Sequence, residues 1–401
     1  MRKNLGVRAA AVALAASSLV LAFVPAAAQA SDDVTAVSTA VAYQGNARHD
    51  GNFAGGVAAP PLTRQWSRDL GGSVSYPVIA GGRVFVTAAS TTGYGTLLYA
   101  LDARTGQDSW GPVPLGGTYW WSALAYGAGR VYAVNYDGVL SAFQASTGAK
   151  VWSVQLPGQY AFTSPPTFRQ GVVYTGGAGS GGTVYAVNAG TGAVLWTRGV
   201  ANGDESSPAV NGTGVFVSYA CEQTYRLDPG TGSPVWQHST DCQGGGGRTP
   251  VIADGGLWIR DDAGKPQTVL NLSDGTVRGT FGTGGWTPAP AFVGRTGFFV
   301  AGGVLQERST RTPLQATWTF TGDNQISTAP IVVDGFVYVG STTGQLWAVN
   351  AATGAAVWSD PVGAAISAPD EHNVSQPLTG LAAGQGRLIV PAGHLVVSYG
   401  K

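Results

Sequence analysis

Five carboxylates stand out as the residues best suited to chemistry in this chain: Asp204, Glu205, Asp323, Asp370 and Glu371. Arg248, Asn324 and His372 lie in the same polar segments between apolar runs. Carboxylate oxygens are the ligands a hard cation takes, so Asp204, Asp323, Asp370 and Glu371 form a candidate metal set. Trp120 and Trp286 offer flat apolar faces on which a sugar or a planar ring could stack. The candidate ligand-binding set is therefore Trp120, Glu205, Arg248, Trp286, Asp323, Asn324, Asp370 and His372, with Tyr119, Trp121, Tyr160 and Phe162 beside them. Nothing places the acids at a ligand-like spacing, and the same residues also read as ordinary polar loop residues around a water-filled channel. The spacing assigns no catalytic residue, because the separation of paired acids is a property of the fold.

Other chemistry-bearing residues read more simply. His49, His238, His372 and His394 are scattered without metal-site spacing. Gly244 to Gly247 lacks the Lys-Ser/Thr of a phosphate loop and reads as linker. The Asp261-Asp262 pair reads as a solvent-facing turn. Cys221 and Cys242 are the only cysteines, and an oxidising compartment would join them.

The elements that must position these groups emerge from the tryptophans. YALDARTGQDSW (Tyr99 to Trp110), SAFQASTGAKVW (to Trp152), VYAVNAGTGAVLW (to Trp196), TYRLDPGTGSPVW (to Trp236) and LWAVNAATGAAVW (to Trp358) are one repeat. Degenerate copies end on Phe281 and Trp318, and LTRQW ends on Trp66. A period of roughly 40–45 residues with strand-like segments is the signature of propeller blades.

Each copy breaks into four strands. The first is small-residue and innermost, as in 73–79 or 326–333. The second is β-branched and aromatic (RVFVTA, RVYAVN, VVYTGG, FVYVGS), and the third is YALD or YAVN. A Thr-Gly turn, whose Gly can take positive φ, leads to the fourth, which ends on Trp. Trp66, Trp110, Trp152, Trp196, Trp236, Trp318 and Trp358 are expected to pack between blades. After Trp358 only three strands remain, near 374–383, 387–391 and 394–399. Leu62 to Trp66 supplies the missing outer strand, closing the ring and removing exposed edges. The expected fold is an all-β, eight-bladed β-propeller of four-stranded blades, closed by an N-terminal outer strand.

Composition agrees: Gly is 61 of 401 residues and charged residues are 11%, against roughly 25% in ordinary domains. The 22 basic residues balance 22 acidic ones with no basic stripe, which argues against a nucleic-acid partner. Arg2, Lys3 and Arg8 precede an apolar run from Ala9 to Val24, and Ala28-Gln29-Ala30 gives a small-x-small cleavage pattern. The run is shorter than the roughly 20 residues of a membrane span. The expected organisation is a signal peptide over 1–30, a flexible mature N-terminus over 31–42 and the propeller over 43–401, in a secreted, soluble monomer.

The A-x-D-x-x-T-G-x-x-x-W rhythm of Ala100 to Trp110, with Asn188 and Asn350 in place of Asp102 at Ala186 to Trp196 and Ala348 to Trp358, resembles the pyrroloquinoline-quinone (PQQ) repeat. Tyr43-Gln-Gly-Asn-Ala-Arg-His49 resembles the start of PQQ-like propellers. The resemblance covers about residues 43 to 400. It implies the propeller fold for a family that includes quinoprotein alcohol dehydrogenases, assembly scaffolds and sensor domains, so fold does not settle function. It further implies that an enzyme would hold its quinone under a vicinal disulfide, with calcium or a lanthanide on Glu, Asn and Asp. Cys221 and Cys242 are not adjacent, no C-x-x-C-H haem motif occurs, and the even spacing leaves no room for the long insertions of the enzymes. A structural bridge between loops on one propeller face is expected instead.

The expected function is a non-catalytic binding or scaffold module without a cofactor, meeting a protein, glycan or cell-envelope component at the loop face. The alternatives are a reduced PQQ- and calcium-dependent alcohol or aldose dehydrogenase, and a polysaccharide lyase or hydrolase.

Overall fold

In the computed structural model, Met1 and residues 39–401 are described, apart from 58, 241, 243–245 and 262–263. The leader, its cleavage site and most of the 31–42 segment lie outside the described residues. Eight antiparallel four-stranded sheets form the blades, each running from an innermost to an outermost strand. Blades 1 to 7 are sequential, over residues 78–116, 122–155, 167–200, 209–238, 251–282, 291–320 and 331–361. Blade 8 joins Ala382–Gly384, Arg387–Ala392 and Leu395–Gly400 to the N-terminal strand Thr63–Asp69. That closing strand pairs antiparallel with the last one, Trp66 opposite Ser398. Among the described residues no helix is long and apolar enough to cross a membrane.

The innermost strands are shorter than the small-residue segments that contain them. The span 73–79 yields only Val78–Ala80, 326–333 yields Ile331–Val333, and 374–383 yields Ala382–Gly384. Proline explains most of this, because it lacks the N–H that a ladder needs. Pro77, Pro166, Pro208, Pro250, Pro290 and Pro330 each stand immediately before an innermost strand. The middle strands are buried on both faces, as their continuous apolar runs require.

Trp and Thr-Gly are two halves of one interblade lock. Trp66, Trp110, Trp152, Trp196, Trp236 and Trp318 each donate Nε1–H to a backbone carbonyl of the next blade (Ala103, Ala145, Ala189, Pro229, Leu272 and Ala351) at 2.9–3.2 Å. The turn glycine of that next blade lies flat on the indole; a Cβ on Gly232, at φ +68°, would come within 2.5 Å of Trp196. The Asp/Asn of the repeat builds the same turn: Asp102, Asn188, Asp228 and Asn350 accept the backbone N–H groups two and three residues on. Trp358 is the exception. Blade 8 draws its outer strand from the N-terminus and so has no Thr-Gly turn, and Trp358 packs edge-on against Tyr399 at 5.4 Å. Phe281, in the degenerate fifth copy, packs against Trp258 and Phe299.

The segment before the closing strand is part of the core, which corrects the expected flexibility at least from residue 40. Ala40 is buried and pairs with Ile79 of blade 1. The chain then travels round the inside of the ring at the end where the innermost strands turn outward. Carbonyls of Val41, Ala47, Arg48, Asp50, Gly51 and Gly56 accept N–H groups from Tyr126, Val210, Ile252, Phe292, Val332 and Gly386, in blades 2, 4, 5, 6, 7 and 8. His49, wholly buried, sits between the carbonyls of Tyr43 (2.7 Å) and Pro208 (3.1 Å), with Thr167 of blade 3 at 3.4 Å. Gly51 is required there: a Cβ would stand 2.7 Å from Ala291. This belt occupies the axis at one face and leaves the other face for the longer loops.

Candidate loop-face site

The connections that precede each innermost strand converge on that second face. At its centre is a buried ionic network from three separate segments. Glu371 accepts two contacts from the Arg260 guanidinium (3.0 and 3.2 Å) and one from the Thr249 N–H (3.2 Å). Arg248 stands 3.6 Å from the same carboxylate. Arg260 also donates to the carbonyls of Thr249 and Thr287. Burial without these partners would be prohibitive, so the cluster pins three loops together. Arg260 escaped the sequence reading, although an arginine ending the apolar strand segment GLWI was a visible signal.

Above the network, Arg248 lies 3.9 Å from the ring centre of Trp286, a close cation–π contact. Trp286 is otherwise 61% exposed and meets His372 edge-on at 5.1 Å. The His372 Nε2 is 3.2 Å from both Glu205 and the Gly247 carbonyl, and Glu205 accepts the Gly247 N–H at 2.9 Å. Glu205 thus ties the glycine-rich loop to the 370–373 turn. Burial, together with the neighbouring Asp204 carboxylate, pushes the Glu205 carboxyl up to about 7. Burial also raises Asp204.

The four candidate metal ligands do not meet. Glu371 is engaged by Arg260 and Thr249. Asp370 accepts the His372 N–H within its own turn. Asp323 accepts the hydroxyls of Ser341 and Thr343 and the Gln325 N–H; burial opposes its ionisation, but these bonds outweigh it and hold the carboxyl below its usual range. Asn324 is an exposed turn residue at φ +59°. Among the described residues no three His, Cys, Asp or Glu side chains are grouped to hold a metal. The structure therefore brings together Glu205, Arg248, Trp286, His372 and Glu371, and leaves Asp323 and Asn324 in the loop before blade 7.

The remaining candidates divide by burial. Trp121 and Phe162 are fully buried core, not rim. Tyr119 and Tyr160 are exposed, and Trp120 is half-buried against Tyr94. Asp261 is also buried rather than solvent-facing, accepting the Glu222 N–H at 2.8 Å; Asp262 lies outside the described residues. Cys221, in the turn between the second and third strands of blade 4, is bonded to Cys242 in the following loop. Closing a loop with a sequence separation of 21 stabilises by on the order of 3 kcal/mol.

Arg248 takes one face of Trp286, and Glu371, Asp323 and Asp370 are held by arginine, hydroxyl and N–H donors respectively. The two cysteines, bonded to each other across blade 4, form no vicinal pair.

The family described as Outer membrane protein assembly factor BamB (PQQ_2) matches residues 97–239, 136–358 and 315–397. The chain belongs to this family. A BamB of Yersinia pestis is 24% identical over 248 residues, covering 58% of this chain and 54% of the relative. The chain spans about half the length of the curated relatives that it matches first. Among solved structures, BamB from Moraxella catarrhalis superposes with a TM-score of 0.61 at 18% identity, over 85% of this chain and 98% of that one. A europium-containing methanol dehydrogenase superposes with a TM-score of 0.68 at 12% identity, over 91% and 98%. BamB-like and dehydrogenase chains thus share one scaffold, so the PQQ_2 fold leaves the choice of function to the loop face.

The pH dependence of stability checks the electrostatics of that face. The folded-state pKa of Glu205, near 7, exceeds the ordinary 4.5, so the folded protein binds more protons between those values. Its contribution is therefore most favourable below about pH 4.5 and is lost as pH rises through 7. Glu205→Gln removes this dependence. The stability of the wild type relative to Glu205→Gln, from urea unfolding at pH 4.5 and 8, is expected to fall with rising pH. His49, lowered by burial, has the opposite slope but is common to both proteins. A difference flat with pH would refute the assignment.

Proposed function

We propose that this protein is an exported, non-catalytic binding or scaffold module that engages its partner through the loop face. One observation carries the reading. Among the described residues the exposed large aromatic side chains are Tyr94, Tyr119, Tyr160 and Trp286, and all four lie on loops of that face. The opposite end of the axis is filled by the 40–56 belt, and the other exposed apolar side chains are mostly aliphatic residues of outer strands, such as Leu195 and Val235. Aromatic side chains concentrated on one surface and set among polar groups are the usual anchors of a binding interface. The Yersinia pestis relative, an outer membrane protein assembly factor, supports an envelope setting and a partner of protein or envelope glycan. The apolar segment from Ala9 to Val24 supplies the export signal.

Sedimentation with isolated bacterial cell-envelope fractions tests this function. The wild type is expected to co-sediment, a Tyr160→Ala/Trp286→Ala double variant to lose at least fivefold in bound fraction, and Leu195→Ala to behave as wild type. Dye reduction with alcohols or aldoses after addition of PQQ and calcium would overturn the reading, as would sedimentation indifferent to the double substitution.

A further inference from the structure

We infer that the cleft between blades 8 and 1 on the loop face is a subsite for a neutral saccharide, an inference that rests on the loop-face reading above. The cleft has a volume of about 430 Å³ and lies away from the Arg248–Glu371 network. Trp120 lines it together with Ser73, Ser90 and Ser375 and with Gly71 and Gly72. Four separate loops supply these groups, so the cleft exists only because the ring is closed by Thr63–Asp69, the strand that leads directly into Gly71.

The chemistry of the lining selects the ligand. A sugar ring presents one face of C–H groups, which packs on an aromatic plane, and an edge of uncharged hydroxyls, which both donate and accept. The lining combines one large aromatic side chain with three serines, which matches that division. Its one titratable lining group, His394, stands 3.6 Å from Asp69 at the rim. No Asp, Glu, Lys or Arg is among the lining residues, so the cleft itself offers an ionic ligand no fixed charge. Trp120 is also fixed before any ligand arrives: its Nε1–H donates to the Gly93 carbonyl at 2.9 Å, and its ring lies 4.6 Å from that of Tyr94. A platform already held in place costs little ordering entropy on binding. Tyr94, 66% exposed and tilted 44° to the Trp120 ring, adds a second aromatic surface beside it.

The probes are soluble neutral oligosaccharides of four units, namely cello-, malto-, xylo-, laminari- and chito-oligosaccharides, titrated calorimetrically into the full-length protein. At least one is expected to bind with a Kd below about 1 mM. Trp120→Ala is expected to weaken that binding at least tenfold. Trp120→Phe keeps an aromatic face and is expected to restore part of it, and Leu195→Ala to leave it unchanged. Near-ultraviolet circular dichroism establishes that the variants are folded, and Ser90→Ala provides a second, milder lesion expected to weaken binding about threefold. Failure of all five probes to bind, or equal binding by wild type and Trp120→Ala, overturns the inference. The loop-face function is then judged separately, because its sedimentation assay depends on Tyr160 and Trp286 rather than on this cleft.

Discussion

Replacing Glu371 with alanine is expected to lower the unfolding free energy by about 3–5 kcal/mol, the cost of removing one partner from a buried ion pair. Its carboxylate joins Arg260 of blade 5, the Thr249 backbone beside it and the Arg248 guanidinium. Glu371, Arg248 and Arg260 are each at least 96% buried, so water cannot replace what the substitution removes. Glu371→Gln keeps the volume and some hydrogen bonding and should fall between the two. Urea unfolding monitored by tryptophan fluorescence gives the difference directly. A loss below about 1 kcal/mol for Glu371→Ala would mean that the network is hydrated and contributes as a surface pair does.

Trp196→Ala is expected to cost about 3–5 kcal/mol, in the range of large-to-small changes at buried aromatic positions. The indole fills the seam between blades 3 and 4, donates to the Pro229 carbonyl at 2.9 Å and lies 5.9 Å from the ring of Tyr174. Gly232→Ala should destabilise from the other side of the same contact, because its Cβ would collide with the indole and its φ is positive. If Trp and Gly form one lock, the double variant costs less than the sum of the single ones by about 0.5–3 kcal/mol. Part of the glycine penalty survives in the double variant as backbone strain. Strict additivity in urea titrations would show that the two residues act independently.

That lock explains why so much of the fold could be read in one dimension. Trp, Thr-Gly and the Asp/Asn before it recur because each blade makes the same local turn and offers it to the same neighbouring ring. Blade count and closure by Leu62 to Trp66 followed from that phase. The exceptions follow from it too: Trp358 faces the blade built from both ends of the chain, where no such turn exists.

The site was legible only as a collection. Residues drawn from the loops before innermost strands did include Glu205, Arg248, Trp286, Glu371 and His372, which the structure brings together. The same rule also gathered Trp121 and Phe162, which turn inward to the core, Asp323, which braces its loop against the 341–344 turn of blade 7, and Asp370, which serves its own turn. A loop position fixes the end of the propeller on which a residue lies, not the direction its side chain takes. Arg260 was missed because it directly follows a middle strand, and the role of the 40–56 segment as a belt because a stretch that bonds in turn to nearly every blade repeats nothing, although Tyr43 to His49 was legible as the start of the propeller.

By itself the sequence determined the architecture of this protein: eight four-stranded blades, their order, the velcro strand and the bridge between Cys221 and Cys242. Tertiary structure alone decided which charges neutralise one another, which end of the axis is filled, and where an aromatic side chain lines a polar cleft. The physical reason is range. Blade packing is a contact between adjacent repeats and leaves a periodic trace, whereas Arg260 and Glu371 meet across 111 residues, and Gln44 reaches the Ala289 carbonyl across 245. Such contacts arise once, where the ring closes on itself, and a repeat carries no record of them.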